Sequence, residues 1–135
     1  MSRRPDYAPV LRLVPQRNES DCAIATLSSL TGIPYEEVLI AAARVAPCET
    51  GMYLTQIQKV ASELGVELTM RRRGRYDPET STGILSVSNR KACIWHVAIL
   101  RHGSIIETDN TIWDWDVYLA SKRMRAGSLL VREDA

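Results

Sequence analysis

Apolar residues recur at helical spacing through the first half of the chain. A compact apolar run at residues 23–30 follows two N-cap candidates, Ser20 and Asp21, and predicts a first helix. An apolar stripe within residues 34–47, which begin and end at proline, predicts a second helix. Residues 51–65 begin and end at glycine and carry apolar side chains on one helical face. Three consecutive helices are therefore predicted.

The period changes from helical to extended after residue 65. A last helix is predicted close to the C-terminus, and the longest apolar strand, residues 94–100, is typical of the centre of a sheet. The predicted fold class is α+β, with the N-terminal helices packed on one side of a C-terminal antiparallel sheet. The predicted strands are 66–70, 84–87, 94–100, 105–108 and 127–131, and the last helix is 113–125.

The chain is long enough for one domain with a single sizeable core. It has 135 residues, which is too few for two ordinary domains. Residues 1–9 are polar and contain proline, so they are predicted to be a poorly ordered lead-in. Residues 10–135 are predicted to form the domain, and a short strand at residues 10–14 is its first element.

Composition excludes several classes of protein. Apolar residues make up 45% of the chain and charged residues 24%, as in ordinary globular proteins. The formal net charge of +1 makes nucleic acid an improbable partner. No secretory signal and no membrane-spanning apolar run is found, and three widely spaced cysteines suit a reducing compartment. The expected location is the cytoplasm.

One segment near the N-terminus carries the features of a nucleophile site. Cys22 opens the first predicted helix, where the positive end of the helix dipole favours a thiolate. Gln16, six residues earlier, offers an amide that can donate a hydrogen bond to an oxyanion. A catalytic thiol also needs a histidine brought near by the fold. His96 is the candidate base, and Asp109 is the acidic residue that follows it.

These motifs, in this order, resemble a known family. The family is the papain-like cysteine peptidases that remove double-glycine leaders from bacteriocin precursors, usually as the N-terminal domain of an ABC exporter. Those domains begin with a strand running into Gln and then Asp-Cys at a helix start, which Gln16 and Asp21-Cys22 match. Their third helix follows a glycine and ends in Leu-Gly, as residues 51–65 do.

The C-terminal half continues the resemblance. A strand that begins at histidine, an aspartate after the next strand, and a glycine followed by aliphatic residues correspond to His96, Asp109 and residues 127–131. The resemblance implies a papain-like peptidase domain acting on a peptide or protein substrate. It also implies that Cys22 is the nucleophile, His96 its general base, Asp109 the residue that orients the imidazole, and Gln16 the oxyanion donor.

Two alternatives remain open. Ala23 stands where the family usually has glycine, Asn110 stands where it usually has proline, and the exporter's membrane and nucleotide-binding parts are missing. A catalytically silent papain-like module that recognises a peptide or protein partner would fit these departures. Acyltransferases and transglutaminase-like enzymes use the same order of Cys, His and Asp, so the order does not identify the reaction. Asn110 also competes with Asp109 for the orienting role.

A zinc site is the least favoured interpretation of the cysteines. Cys93 and His96 could bind zinc together with Cys22 and Cys48, but positions 93 and 96 of one strand point to opposite faces. No metal and no cofactor is therefore predicted. Cys48 and Cys93 are interpreted as packing residues.

Two further patterns have ordinary structural explanations. Residues 71–75 contain four arginines, which is typical of a solvated edge strand protected from pairing, with an acidic ligand or nucleic acid as the alternative. Trp113 and Trp115 alternate with aspartates and are interpreted as packing aromatics at a helix start. A peptide groove is the alternative for the two tryptophans.

Overall fold

The computed structural model describes residues 22–45 and 52–132. Within these ranges, three helices precede five strands, a fourth helix and a last strand. The helices are α1 Cys22–Thr31, α2 Tyr35–Val45, α3 Leu54–Glu63 and α4 Trp115–Lys122. The strands are β1 Thr69–Arg71, β2 Thr82–Asn89, β3 Ile94–Arg101, β4 Ser104–Ile106, β5 Ile112–Asp114 and β6 Arg125–Val131.

The three N-terminal helices are confirmed close to their predicted positions. All residues of α1 from Ala23 to Leu30 are buried, as its apolar sequence predicts. Gly32 follows α1 with φ +78°, a left-handed conformation that glycine adopts without strain and that ends a helix. In α2 the acidic residues Glu36 and Glu37 lie in the first turn, where the helix dipole favours them.

The strands form one antiparallel sheet in the order β1-β6-β2-β3-β4-β5. β2 and β3 pair along their whole length and lie at the centre, which confirms the prediction of a central strand at residues 94–100. β4 is much shorter and pairs only with the last three residues of β3, Ile99–Arg101. The α+β class with an antiparallel sheet is therefore confirmed.

Both faces of the sheet are covered. The N-terminal helices α1–α3 pack on one face, as predicted, and the C-terminal helix α4 packs on the other. Ile84 and Ile99 face a cluster formed with α1, α2 and α3. Leu85 and Leu100 face the opposite way and pack with Tyr118 of α4. Neighbouring strand residues point to opposite faces, so central strands that are apolar at every position need cover on both sides.

The C-terminal helix was predicted too long. Residues 112–114 form β5, which pairs with β4, and α4 begins only at Trp115. The helix ends at Lys122, and its C-cap residue Arg123 has φ 53°. At the other edge, the strand predicted at residues 66–70 is shorter and later in the chain, at residues 69–71.

Some predictions fall on residues outside the described ranges. These are the lead-in at residues 1–9, the strand at 10–14 and the end of the second helix at Pro47. In the part of the chain that the structure describes, no helix has the length and apolar character needed to span a membrane.

Gly83 marks a point of close backbone contact in the centre of the sheet. A Cβ atom added at Gly83 would lie 2.0 Å from the carbonyl oxygen of Leu130 in β6. Because the obstructing atom belongs to the backbone, we expect Gly83→Ala to lower the free energy of unfolding by about 2 kcal/mol.

Urea denaturation measures this loss, and Gly127→Ala is the matched control. A Cβ at Gly127 would meet its nearest neighbours in Ser86 at 3.4 Å, close to ordinary contact. Equal losses in the two variants would contradict the argument from close contact.

Candidate active site

Cys22 and His96 are brought together from two different elements. Cys22 is the first residue of α1, and its side chain is half-buried with a free thiol. His96 is the third residue of β3, and its ring is hydrogen-bonded to the Cys22 side chain. The two residues that the sequence singled out as nucleophile and base are therefore in contact.

His96 lies on the part of β3 that β4 does not pair with. Val97 packs with the helices α1–α3, whereas Ala98 packs on the α4 side, so the alternation assigns His96 to the α4 side as well. β4 pairs only with residues 99–101 of β3, and the edge at residues 94–98 is left open on that side.

A buried carboxylate, Glu107, holds the other side of the imidazole. Its Oε1 atom lies 2.5 Å from His96 Nε2. The side chains of His96 and Glu107 are 20% and 13% exposed, so the pair is largely shielded from water. An ionised carboxylate can only accept hydrogen bonds, so Nε2 carries a proton, and Nδ1 is the ring nitrogen left to contact Cys22.

Three further donors contact the Glu107 carboxylate, and the Thr108 hydroxyl, 3.3 Å from Oε1, is the most distant of them. The backbone N–H of Thr108 donates to Oε1 at 2.8 Å. The hydroxyl of Tyr118, a fully buried residue of α4, donates to Oε2 at 2.5 Å. The ring of Tyr118 in turn packs edge-on against Trp113, with the ring centroids 6.2 Å apart. The carboxylate is thus oriented by both the hairpin backbone and α4.

Asp109 lies elsewhere, in the tight turn between β4 and β5. Its Oδ1 accepts hydrogen bonds from the backbone N–H of Thr111 at 3.0 Å and from the Thr111 hydroxyl at 2.5 Å. The turn begins at Glu107 and ends at Asn110, which has φ 67°. Aspartate and asparagine favour such turns because their side chains bond the local backbone and tolerate left-handed conformations. The carboxylate that contacts His96 is therefore Glu107, and the orienting role predicted for Asp109 needs this correction.

The environment pushes the two partners to opposite charges. Burial alone would lower the pKa of His96, but its hydrogen bonds to Cys22 and Glu107 and the negative charge of Glu107 raise it to about 10. Burial alone would raise the pKa of Glu107, but the contacts with His96, Tyr118 and the Thr108 N–H lower it to about 2. Burial and the charge of Glu107 raise the pKa of Tyr118, which keeps its hydroxyl protonated as a donor. An imidazolium is therefore held beside the Cys22 sulfur at neutral pH.

The paired charges predict how stability changes with pH. The pKa of Glu107 falls from 4.5 to about 2 on folding, so its contribution is complete above pH 4.5 and is lost as the pH falls toward 2. The pKa of His96 rises from 6.5 to about 10, so its contribution is complete below pH 6.5 and is lost as the pH rises toward 10. We expect the pair to stabilise the fold most between pH 4.5 and 6.5.

Urea denaturation of wild type and His96→Gln at pH 3, 5.5 and 9 checks this expectation. The difference in free energy of unfolding between the two proteins should be largest at pH 5.5 and smaller at both extremes. A difference that stays constant with pH would show that the ion pair does not form.

The remaining predicted residues do not add to the described site. Gln16 and Cys48 lie outside the described residues, so the oxyanion role of Gln16 stays a prediction. Cys93 is exposed in the turn before β3 and has φ 53°, which contradicts its interpretation as a packing residue. Among the described residues, no group of three or more His, Cys, Asp and Glu side chains could hold a metal ion.

Glu107 and Tyr118 were missed by the sequence analysis. The sequence did contain a signal for Glu107. Asp109-Asn110 is an ordinary turn dipeptide, and if these two residues form a turn, Glu107 is the acidic residue nearest the end of β4. Tyr118 gave no such signal, since only the packing of α4 brings its hydroxyl to the carboxylate. The site thus contains a half-buried thiol, an imidazolium and an anchored carboxylate in hydrogen-bonded series. No protein-family model and no curated protein sequence matches this chain.

Proposed function

We propose that this protein is a papain-like thiol hydrolase that cleaves peptide or related amide bonds. The observation that carries the proposal is the hydrogen-bonded series of Cys22, His96 and Glu107. A thiol paired with an imidazolium that a carboxylate orients is the arrangement required for nucleophilic catalysis by cysteine. Cys22 and His96 are then the catalytic residues, and Glu107 is a positioning residue.

The reaction follows from the charges of the pair. The Cys22 thiolate attacks the acyl carbon of an amide, and a C–S bond forms as the carbonyl oxygen becomes an oxyanion. His96 gives its proton to the amide nitrogen, the C–N bond breaks, and an amine leaves behind a thioester. Water then attacks the thioester and passes a proton to His96. The C–S bond breaks, which releases the carboxylic acid and restores the ion pair.

The start of α1 offers stabilisation for the oxyanion. The first N–H groups of an α-helix have no partner within the helix, and Cys22 is the first residue of α1. The N–H groups beside the sulfur can donate to the oxygen of the attacked carbonyl. A donor of this kind is worth about 3 kcal/mol of the activation barrier. Gln16 is the second donor in the proposal, on the strength of the family resemblance alone.

Exposed apolar side chains beside the site favour a peptide substrate. Ile94 and Trp95 precede His96 on β3 and are 41% and 70% exposed. Large apolar side chains that remain exposed next to a reactive group can contact the side chains of a bound peptide. The resemblance to double-glycine leader peptidases points to the same class of substrate.

Cleavage of a peptide library tests the proposal. The library is proteome-derived and has blocked amino groups, so each hydrolysed bond creates one new amino terminus that mass spectrometry identifies. We expect wild type to create a consistent set of termini and Cys22→Ala to create none above background. Cys93→Ser is the matched control, since Cys93 is a free, exposed cysteine that is not among the groups acting on His96, and it should behave as wild type.

Three outcomes would contradict the proposal. The absence of any new terminus with wild type would favour a module that binds without turnover. The same termini from Cys22→Ala would show that another group or a contaminant cleaves. Incorporation of an added amine, such as glycinamide, in place of water would show acyl transfer instead of hydrolysis.

A further inference from the structure

Trp95 lies next to the candidate active site, on the face of the sheet that the helices α1–α3 cover. It directly precedes His96 on β3 and shares its face with Val97, because alternate residues of a strand point the same way. Val97 packs in the cluster formed with these helices and is 6% exposed. Trp95, on the same face, is 70% exposed. The helical cover of β3 therefore ends between these two residues.

The direction of α1 explains where this cover ends. Leu30, at the C-terminal end of α1, accepts a hydrogen bond from Arg132 Nη1 at 3.0 Å, and the backbone N–H of Arg132 donates to the first residue of β2. That residue of β2 pairs with the last residue of β3. Cys22, at the other end of α1, contacts His96 near the start of β3. α1 therefore runs along β3 and begins beside His96, so the indole of Trp95 lies beyond its first turn.

The exposed indole has room for a ligand side chain. The cross-strand partner of Trp95 is Ser88 of β2, whose short side chain cannot cover an indole. β4 pairs only with Ile99–Arg101, so no described strand lies beside Trp95 at the other edge of β3. No described aromatic ring packs against the indole, and no described cation lies over it. A flat apolar surface is therefore presented to solvent beside the reactive thiol.

We propose that Trp95 determines specificity, and that the substrate is a peptide with an aromatic or large aliphatic side chain close to the cleaved bond. On the proposed function, on which this inference rests, the acyl carbon lies at the Cys22 sulfur and the leaving nitrogen lies beside His96. A substrate side chain near that bond then packs on the indole just past the start of α1. An indole buries a large apolar area at a small cost in side-chain entropy, and its contacts with other rings have a favourable edge or offset geometry.

The rates at which two reagents alkylate Cys22 test this recognition without turnover. Iodoacetamide and N-(2-phenylethyl)iodoacetamide react through the same carbon, and only the second carries an aromatic group. We expect wild type to favour the aromatic reagent about three- to ten-fold more than glutathione does. Trp95→Ala should reduce this preference to less than about two-fold, and Trp95→Phe, which retains a ring, should keep most of it. Mass spectrometry of the Cys22 peptide over time gives both rates.

Tyr53→Ala is the matched control. Tyr53 is another exposed aromatic residue, at the start of α3, and it is not among the groups acting on His96. Its replacement should leave the preference for the aromatic reagent unchanged. The ratio of the two rates divides out the reactivity of the sulfur itself, so a thiol that is poorly activated still reports on recognition by Trp95.

Equal preferences in wild type and glutathione would overturn the proposal. Equal loss of preference in Trp95→Ala and Tyr53→Ala would overturn it as well, since that result indicates apolar binding that is not specific to Trp95. A stronger preference for a reagent that carries a trimethylammonium group would replace the apolar side chain with a cationic one. A preserved aromatic preference in a protein that cleaves no peptide would support recognition by Trp95 and overturn the peptidase proposal alone.

Discussion

Replacing His96 by alanine is expected to slow the alkylation of Cys22 by iodoacetamide at pH 6 about 10- to 100-fold. An isolated thiol is roughly 0.3% thiolate at this pH, and only the thiolate reacts. In the wild-type protein the imidazolium of His96 lies beside the Cys22 sulfur. A neighbouring positive charge favours reaction through the thiolate, and the lower nucleophilicity of a stabilised thiolate limits the expected ratio. Mass spectrometry of the Cys22 peptide over time gives the rate.

Two controls accompany this experiment. Cys93 in the same molecule is exposed and is not among the groups acting on His96, so its alkylation rate should not change. His102→Ala removes the other histidine, which lies at the far end of β3, and should leave the rate of Cys22 unchanged. If His96→Ala and wild type react at the same rate, the thiol is not activated by its neighbour.

Replacing Glu107 by alanine is expected to lower the free energy of unfolding by about 3 kcal/mol. The change leaves His96 without its counter-ion and removes the acceptor of the buried Tyr118 hydroxyl. The loss of one partner of a buried ion pair strands the other, and a buried donor without an acceptor adds its own desolvation cost. Urea denaturation near pH 5.5, where the pair contributes fully, gives the value.

The neighbouring carboxylate provides the matched control. Asp109→Ala removes two hydrogen bonds within an exposed turn and should cost about 1 kcal/mol or less. The same pair of variants separates the two carboxylates in function, because Glu107→Ala should slow alkylation of Cys22 and Asp109→Ala should not. A larger loss for Asp109→Ala in either measurement would return the orienting role to Asp109.

Local patterns in the sequence were sufficient to predict most of the elements. The helices α1 to α3 have apolar stripes bounded by proline or glycine, and such boundaries depend on backbone chemistry that the sequence displays directly. β3 was predicted for the same reason, because a long apolar run of β-branched residues fits a central strand. β5 was missed because three residues are too few for a detectable period.

The site shows where sequence reasoning reaches its limit. Cys22 and His96 could be paired from residue type, helix position and family resemblance. Whether Glu107 or Asp109 contacts His96 depends on the residue at which β4 ends. Ile99 pairs with Ile106, and the same register continued would have brought Asp109 opposite His96. The chain turns at Glu107 instead, and the position of a turn is set by packing as much as by composition.

Titration of the His96 ring by NMR, in protein labelled with ¹⁵N-histidine, tests the central claim most directly. The protein contains two histidines, and a His102→Gln variant assigns their signals. With Glu107 and Cys22 beside it, His96 should remain protonated through pH 8 and lose its proton only as the pH approaches 10. A ring that loses its proton near pH 6.5 would contradict the proposed pairing of thiol, imidazolium and carboxylate.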